Sequence, residues 1–326
     1  TVKAIVCEAF APPTQLQVQD VPEPELKPGQ VIIDIKATGL GYVDALMVAG
    51  LYQIKPPLPF IPGNEIAGII TEVDPSVAHL TVGDRVLAMP SRGGLAERIA
   101  VPANQCIAIP DNASFEAAAA FLVNYCTAYH GLITLGKIQA GESVLVLGAS
   151  GGVGTAAIDL AKSEGAFVIA AASTQEKLDM ARRQGADLLI NYSEPNWRDT
   201  LKTDLGDRPL NLVYDPVGGD FAEAGLRSLA PGGRFLVVGF ATGTIPKLPA
   251  NLTLLKQVSV IGVNWGGHIA IYPDHSAPVV EALVNRIAEG RISPLTGQHF
   301  RLEDTGVAMT AMLERQAIGK TIISQE

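Results

Sequence analysis

The stretch VLVLGASGGVGTAAIDLAK, residues 144–162, decides how the chain folds. An apolar run leads into Gly148, Gly151 and Gly154, and a segment of helical character follows. Glycine permits a tight turn after a strand and lets backbone N–H groups approach an anion, while the next helix N-terminus adds positive potential. The stretch therefore predicts a nucleotide-binding turn, the alternative being a purely structural one. The predicted nucleotide contacts here are Ala149, Ser150, Gly151, Gly152 and Val153.

Strand-like and helix-like segments alternate downstream of this turn as far as SVIGVNW, residues 259–265. Such alternation is typical of a parallel sheet with right-handed crossovers. Upstream, short runs such as VIIDIKATG, residues 31–39, are separated by Pro and Gly, which is typical of a small barrel or sandwich. Between the two regions, residues 114–136 predict an Ala-rich helix that is capped by Ser114 and breaks near Asn124.

A chain of 326 residues favours two domains. We predict an α/β fold in which residues 125–265 form a doubly wound Rossmann sheet. Residues 1–124 and 266–326 together form the other domain. Within the last segment we expect an amphipathic helix at 276–290, short strands and a final helix.

Composition narrows the possible partners. The net charge of -9 argues against binding to a phosphate backbone, which depends on clustered Lys and Arg. The chain has no apolar run long enough to span a membrane, and its first residues do not resemble a signal peptide. The three cysteines, Cys7, Cys106 and Cys126, lie far apart, which favours reduced thiols and a cytoplasmic protein. We therefore expect neither a nucleic-acid nor a membrane partner.

The residues after the second strand of the sheet indicate which nucleotide binds. NAD sites place a carboxylate there to bind the ribose hydroxyls, whereas this strand ends in Ala170–Ser173 without one. Ser173 and Lys177 would attract a 2′-phosphate, so the sequence favours NADP. Tyr192, at the end of the third strand, offers another hydroxyl. The alternatives are a solvated helix face for Lys177 and a packed rim position for Tyr192.

The chain resembles the zinc-free quinone oxidoreductase group of the medium-chain dehydrogenase/reductase superfamily over essentially its whole length. This resemblance implies a GroES-like β-barrel substrate domain beside the Rossmann domain, with the site in the cleft between them. It also implies a homodimer formed by edge pairing of two Rossmann sheets. The segments that carry it are GLGYVDALMVAGLYQIKPPLPFIPGNEIAG (39–68), VGDRV (82–86), GGLAERIAVP (93–102), TAYHGL (127–132), LGASGGVG (147–154), YDPVGG (214–219) and GRFLVVGFA (233–241).

Zinc-dependent relatives hold their catalytic metal with Cys, His and Cys or Asp. Here the matching positions have Gly39 and Leu40 instead of Cys, and Asn64 instead of His. Zinc needs a compact set of thiolate or imidazole ligands, and the five histidines are scattered along the sequence. We therefore predict a protein without a catalytic metal.

Without a metal to act as Lewis acid, the resemblance implies hydride transfer from NADPH to a small, already electrophilic molecule. A quinone is the first choice, and a conjugated enal, enone or enoyl thioester is the alternative. Lys55 and Arg92 are the only obvious basic candidates for binding a coenzyme A thioester, which weakens that variant. A structural or RNA-binding role, as some relatives have, is a third interpretation, and the negative charge counts against it.

The predicted catalytic residues are Tyr52, Tyr42 and Asp44. Tyr42 departs from the family pattern, which usually has Asn there, and its phenol offers a hydrogen bond to the substrate. Tyr52 matches a tyrosine that donates a proton in related enoyl-thioester reductases. The alternatives are cleft lining for both tyrosines and bracing of the loop for Asp44. The resemblance adds predicted cofactor or pocket contacts at Thr127, Val217, Gly239, Phe240, Trp265 and Lys320.

Overall fold

The computed structural model describes residues 1–325, which divide into two compact units. The first unit combines Thr1–Leu122 with the segment that begins at Pro294, and the second unit is Val123–Ser293. The residues before the predicted helix 114–136 and after Pro294 thus belong to one unit, although they are far apart in the chain.

The predicted domain boundary at residue 265 is too early, because residues 266–293 belong to the second unit. Arg286 pairs with Glu164 at 2.5 Å. The backbone N–H of Ser293 donates to the buried carboxylate of Asp159 at 2.8 Å. These contacts join the segment to helices of the nucleotide fold, and nothing in its own amphipathic pattern indicates which unit it packs against.

Residues 1–325 contain fifteen strands and eleven α-helices. No helix among these residues has the length and apolar character that a membrane crossing requires. The strands are β1 (Val2–Ile5), β2 (Val18–Val21), β3 (Gln30–Leu40), β4 (Ile66–Val73), β5 (Arg85–Ala88), β6 (Arg98–Pro102), β7 (Ile107–Ala108), β8 (Ser143–Leu147), β9 (Phe167–Ala172), β10 (Leu188–Asn191), β11 (Leu212–Asp215), β12 (Arg234–Val237), β13 (Ser259–Gly262), β14 (Thr296–Arg301) and β15 (Lys320–Ser324). The helices are α1 (Tyr42–Val48), α2 (Phe115–Ala119), α3 (Leu122–Ala128), α4 (Gly152–Ser163), α5 (Gln175–Arg183), α6 (Trp197–Leu205), α7 (Asp220–Ser228), α8 (Ala250–Lys256), α9 (Trp265–Ile271), α10 (Ser276–Ala288) and α11 (Thr305–Leu313).

The six parallel strands of the second unit follow the order β10-β9-β8-β11-β12-β13. The chain runs from β8 outward to β10 and then returns to continue from β11 outward to β13. The direction of winding therefore switches between β8 and β11, and sheets of this kind bind ligands outside the carboxyl ends of the strands at that point. All residues of β8 are buried, as expected of a strand covered on both faces. The predicted doubly wound parallel sheet is confirmed.

The first unit is built around β3, which pairs with β4, β6 and β15 in a sheet of seven strands. Alternate residues of β3 (Val31, Ile33 and Ile35) are buried in one apolar cluster with Ile66 and Ile70 of β4. This period of two is typical of a strand that buries one face in a core. The predicted β-rich domain is confirmed.

The predicted Ala-rich helix is interrupted earlier than expected. Ser114 caps its start as predicted, since its Oγ accepts from the N–H of Ala117 at 3.1 Å. The next helix, α3, begins at Leu122, so Asn124 lies inside a helix and not at the break. After α3 the chain forms a π-helix over Tyr129–Leu135. Such helices are rare and often occur at functional sites.

The predicted strand at residues 259–265 ends at Gly262. The side chain of Asn264 accepts from the N–H of Gly267 at 2.9 Å and so caps a helix. Trp265 is therefore the first residue of α9 and not the end of a strand. Asn is among the preferred N-cap residues, but the apolar residues before it favoured a longer strand.

Candidate functional site

The glycine turn joins β8 to α4 as predicted. Gly148 has a φ of 60°, a conformation that favours glycine, and its carbonyl accepts from the N–H of Gly151 at 3.1 Å. Gly151 is the N-cap of α4, and no side chain of the described residues caps this helix. Its first N–H groups are therefore left for an external anion. Of the predicted contacts, Gly151 is exposed, Gly152 and Val153 are half-buried, and Ala149 and Ser150 are buried.

Two glycines of the turn have no room for a side chain. A Cβ at Gly154 would overlap the carbonyl oxygen of Gly148 and lie 2.9 Å from the Cα of Ala149. A Cβ at Gly152 would collide with the amide of Asn124. The missing side chain of Gly154 thus lets the first turn of α4 lie directly against the end of β8, and that of Gly152 leaves room for Asn124 of α3. Asn124 is a neighbour of the site that sequence reasoning missed, because its local pattern is that of an ordinary helical residue.

Ser173 and Lys177 lie together just beyond the carboxyl end of β9. The Nζ of Lys177 donates to the Oγ of Ser173 at 3.3 Å, and both side chains are half-buried. Dinucleotide sites bind the adenosine ribose at this end of the second strand. An ammonium beside a hydroxyl attracts a phosphate there, whereas a carboxylate would repel it. The structure brings together the two groups that the sequence selected for a 2′-phosphate.

Tyr192 follows β10, and its ring is packed. The ring meets Phe221 edge-on with 4.2 Å between centroids, and the Trp197 ring lies 6.5 Å away. Burial raises the pKa of the Tyr192 phenol, and the charge of Asp215 raises it further. This packing supports the alternative of a rim tyrosine, and the contact of its hydroxyl with a phosphate stays a prediction.

Asp215 fixes the loops that carry several predicted contacts. Its buried carboxylate accepts from the N–H groups of Val217 and Gly218, each at 2.9 Å. Burial raises the pKa of this carboxyl, although the two hydrogen bonds oppose the rise. The N–H of Gly239 donates to the Asp215 carbonyl at 3.2 Å, and Phe240 follows with 42% of its surface exposed. Sequence analysis used this segment only as a family mark and gave Asp215 no role.

Thr127 lies in α3, and its hydroxyl donates to the carbonyl of Val123 at 2.8 Å. The side chain is half-buried. The hydroxyl oxygen can still accept a hydrogen bond, so the predicted contact with the nicotinamide side is compatible with this geometry.

Trp265 packs against histidines that the sequence did not connect. Its ring lies 5.5 Å from that of His130 and 6.2 Å from that of His268, between centroids. The Nε2 of His268 is 2.9 Å from the Nδ1 of His275. These three histidines are scattered along the sequence, and the π-helix, α9 and the short helix Pro273–His275 bring their rings together in space.

The first unit holds the predicted catalytic residues. Tyr42 begins α1 with 47% of its surface exposed, and Tyr52 lies half-buried in the loop that follows. Asp44 is buried, and its carboxylate accepts from the N–H of Gly41 at 2.8 Å. Burial raises the pKa of Asp44, while this hydrogen bond and the charge of Lys320 oppose the rise. The geometry supports the bracing role for Asp44.

Lys320 does not extend from the tail as a free cation. Its Nζ pairs with the Oε2 of Glu65 at 2.8 Å, and both side chains are buried. Releasing this ammonium would take the counter-charge away from a core carboxylate, which is costly. The ion pair therefore disfavours the predicted contact between the Lys320 ammonium and a cofactor.

The positions that hold zinc in related enzymes do not fit the metal here. A Cβ at Gly39 would overlap the carbonyl oxygen of Ala119 and lie 2.9 Å from the Cε of Lys320. Asn64 presents an amide, which is a poor zinc ligand beside thiolate and imidazole. Among residues 1–325, no group of three or more His, Cys, Asp or Glu side chains could hold a metal ion.

Two protein families match the chain. The family described as alcohol dehydrogenase GroES-like domain matches residues 27–111. The family described as zinc-binding dehydrogenase matches residues 152–283. The first match falls in the first unit and the second falls in the second unit.

Individual proteins resemble the chain over nearly its whole length. Quinone oxidoreductase-like protein 2 of Rattus norvegicus is 36% identical and the match covers 99% of this chain and 92% of the relative. Quinone oxidoreductase of Rattus norvegicus is 32% identical, with 98% and 97% covered. The quinone oxidoreductase of Thermus thermophilus, whose structure was also solved in complex with NADPH, superposes with a TM-score of 0.81 at 31% identity, covering 99% of this chain and 100% of the other.

We predict that Gly154→Ala destabilises the protein by about 1–3 kcal/mol, because the added methyl group is forced against the backbone of β8. Guanidinium denaturation measures the loss. Gly151→Ala is the matched control, since its Cβ meets nothing closer than 3.5 Å, and it should cost less than about 1 kcal/mol. Equal losses in the two variants would contradict the close approach of α4 to β8.

Proposed function

The chain belongs to the medium-chain dehydrogenase/reductase superfamily, in its quinone oxidoreductase group, and on this basis we propose that it is an NADPH-dependent oxidoreductase. The proposed reaction transfers a hydride to a quinone or another small conjugated carbonyl compound without a metal ion. The observation that carries the proposal is the position of Lys177 and Ser173. Their Nζ and Oγ atoms lie 3.3 Å apart at the end of β9, the strand next to the one that leads into the glycine turn.

The second unit offers complementary groups to each part of NADPH. The free N–H groups at the start of α4 suit the pyrophosphate, and Lys177 with Ser173 suits the 2′-phosphate. The loops fixed by Asp215 carry Val217, Gly239 and Phe240, which we assign to the nicotinamide half. The reduced nicotinamide supplies the hydride when bound. The residues of this unit hold and orient it.

The class of hydride acceptor is inferred from the absence of zinc ligands at Gly39 and Asn64 of the first unit. No Lewis acid fits at Gly39 and Asn64, so stabilisation of an alkoxide by zinc is not available to this site. Quinones and conjugated carbonyls accept hydride without such help because their own conjugation spreads the negative charge. We assign the phenols of Tyr42 and Tyr52 to hydrogen bonds with the acceptor oxygen. Asp44 positions the helix that carries Tyr42 through its bond to Gly41.

The edge of the second unit suits the proposed homodimer. β13 is an outer strand of the parallel sheet, and an outer strand presents unpaired backbone groups. Val260 on this strand is 41% exposed, and Leu254 and Leu255 of the neighbouring α8 are largely exposed. Pairing of two β13 strands would cover these apolar side chains and satisfy the backbone groups together.

The central test is NADPH consumption with a panel of quinones, enals, enones and enoyl thioesters. We expect Lys177→Glu to raise the KM for NADPH about 10- to 100-fold, which corresponds to losing a charged hydrogen bond of ~1.5–3 kcal/mol, and to leave the KM for NADH nearly unchanged. Lys202→Glu makes the same charge change on exposed α6 and is the control. Equal effects on both cofactors would refute the 2′-phosphate assignment. If no acceptor accelerates NADPH oxidation by the wild type, a binding role without catalysis is favoured.

For the tyrosines, we expect Tyr52→Phe to lower kcat by about 10-fold or more with the acceptor that the panel identifies, because a hydrogen bond to the developing anion is lost. Steady-state kinetics at several pH values measure the effect. Tyr42→Phe is the matched comparison on the same segment. An unchanged kcat in either variant leaves that tyrosine as lining of the pocket.

For the dimer, light scattering after gel filtration should give about twice the chain mass of 34.2 kDa. Val260→Asp should shift the protein toward the monomer, because a charge would be buried at the interface without a partner. Val307→Asp, at a 62% exposed position of α11 in the first unit, is the control and should stay dimeric. A wild-type protein that elutes as a monomer would rule the proposal out.

A further inference from the structure

Three imidazoles of the second unit form a continuous row, His130–His268–His275, which we call the histidine row. His130 belongs to the π-helix, His268 to α9, and His275 to the short 3₁₀-helix Pro273–His275. The rings of His130 and His268 are 4.4 Å apart between centroids. The Nε2 of His268 and the Nδ1 of His275 are 2.9 Å apart. At this distance a hydrogen bond joins the two nitrogens, with an N–H on one ring and a lone pair on the other. A proton can therefore pass between the two rings.

The row leads from the interior to the surface. His130 is buried, His268 is half-buried and His275 is exposed. Burial lowers the pKa of His130, and the charges of His268 and His275 lower it further. The buried end of the row, His130, therefore stays neutral near pH 7.

The surroundings of His268 contain no carboxylate among the contacts described for residues 1–325. Its ring meets His130 from the π-helix, Trp265 and Tyr272 from its own helix, and His275 from the 3₁₀-helix. Asp274, beside His275, is exposed and is the carboxylate of that short helix. A proton held by the row is thus shared between imidazoles and is not fixed in a buried ion pair.

The fold places this row on the nicotinamide side of the sheet. α9 directly follows the carboxyl end of β13, whereas Ser173 and Lys177 follow β9 on the other side of the switch point. The two halves of a dinucleotide lie on opposite sides of that point, so the nicotinamide half extends toward β11–β13. The π-helix lies against the same strands, since a Cβ at Gly131 would be 3.3 Å from the ring of Tyr214.

We propose that His268 is the proton donor of the reaction and that His275 resupplies it from solvent, an inference that rests on the proposed function. Hydride addition to a conjugated carbonyl compound leaves an anion that must gain one proton. His268 gives the proton on Nδ1 to that anion, while Nε2 receives a proton from the His275 imidazolium. Water then reprotonates His275 and resets the tautomer of half-exposed His268, so protons and charge balance over each turnover.

The first test removes the donor. His268→Gln should lower kcat about 100-fold or more at pH 7, in the range attributed to general acids. Added imidazole should restore turnover to His268→Ala, which a merely structural role would not allow. His79→Gln, at an exposed histidine of the first unit, is the control and should behave as wild type.

The second test breaks the relay without touching the donor. His275→Gln should lower kcat at low buffer concentration, and higher imidazole buffer should restore it. Independently of activity, nitrogen-15 NMR of the histidine rings in the protein without cofactor should show a scalar coupling across the hydrogen bond between His268 Nε2 and His275 Nδ1. The coupling should disappear in His275→Gln.

The results of these tests distinguish a failure of the donor assignment from a failure of the proposed function. If the wild type consumes NADPH with an acceptor but His268→Gln keeps more than half of its kcat, the donor assignment is wrong and the proposed function stands. If no coupling across the His268–His275 hydrogen bond is detected in the wild type, the relay is wrong. If the wild type reduces no acceptor, the proposed function and the donor assignment fall together.

Discussion

The contact between the first turn of α4 and the end of β8 is the constraint on which the rest of the structure depends. Gly154 has no Cβ, so its backbone lies against the carbonyl of Gly148, and the uncapped N-terminus of α4 ends at the switch point of the sheet. β9 ends beside that position with Ser173 and Lys177, and Asp215 holds the next loop in place. The positive potential of the helix start, the Lys177 ammonium and the ordered loop thus lie at one edge of the sheet, where sheets of this kind bind ligands.

Sequence reasoning succeeded where the determining physics is local. The period of two in β3, the capping preference of Ser114 and the freedom of Gly148 act within a few residues, and each left a pattern that can be read directly. The contact between Lys177 and Ser173 is local in the same way, since both residues follow one strand end at the spacing of a helical turn. Their binding to a 2′-phosphate stays a prediction.

The features that sequence reasoning missed or misplaced depend on contacts between residues far apart in sequence. The histidine row depends on a π-helix and on a cap at Asn264, and neither was visible in the periodicity. The ion pair of Lys320 with Glu65, which the sequence did not indicate, joins the last strand to a residue before β4. The segment 266–293 joins the second unit through side chains such as Arg286 and Ser293, whose partners lie more than a hundred residues earlier.

The order in which the two units become complete during synthesis on the ribosome follows from the same ion pair. The second unit is one continuous segment, so it can finish folding once Ser293 has emerged. The first unit begins earlier but must wait for β15, which pairs with β3 and brings Lys320 to Glu65. Until then the nascent chain carries an open edge at β3 and a core carboxylate that still awaits the Lys320 ammonium. Chains of several domains are prone to misassembly while strand edges are unpaired, and the first unit stays at that stage longer than the second.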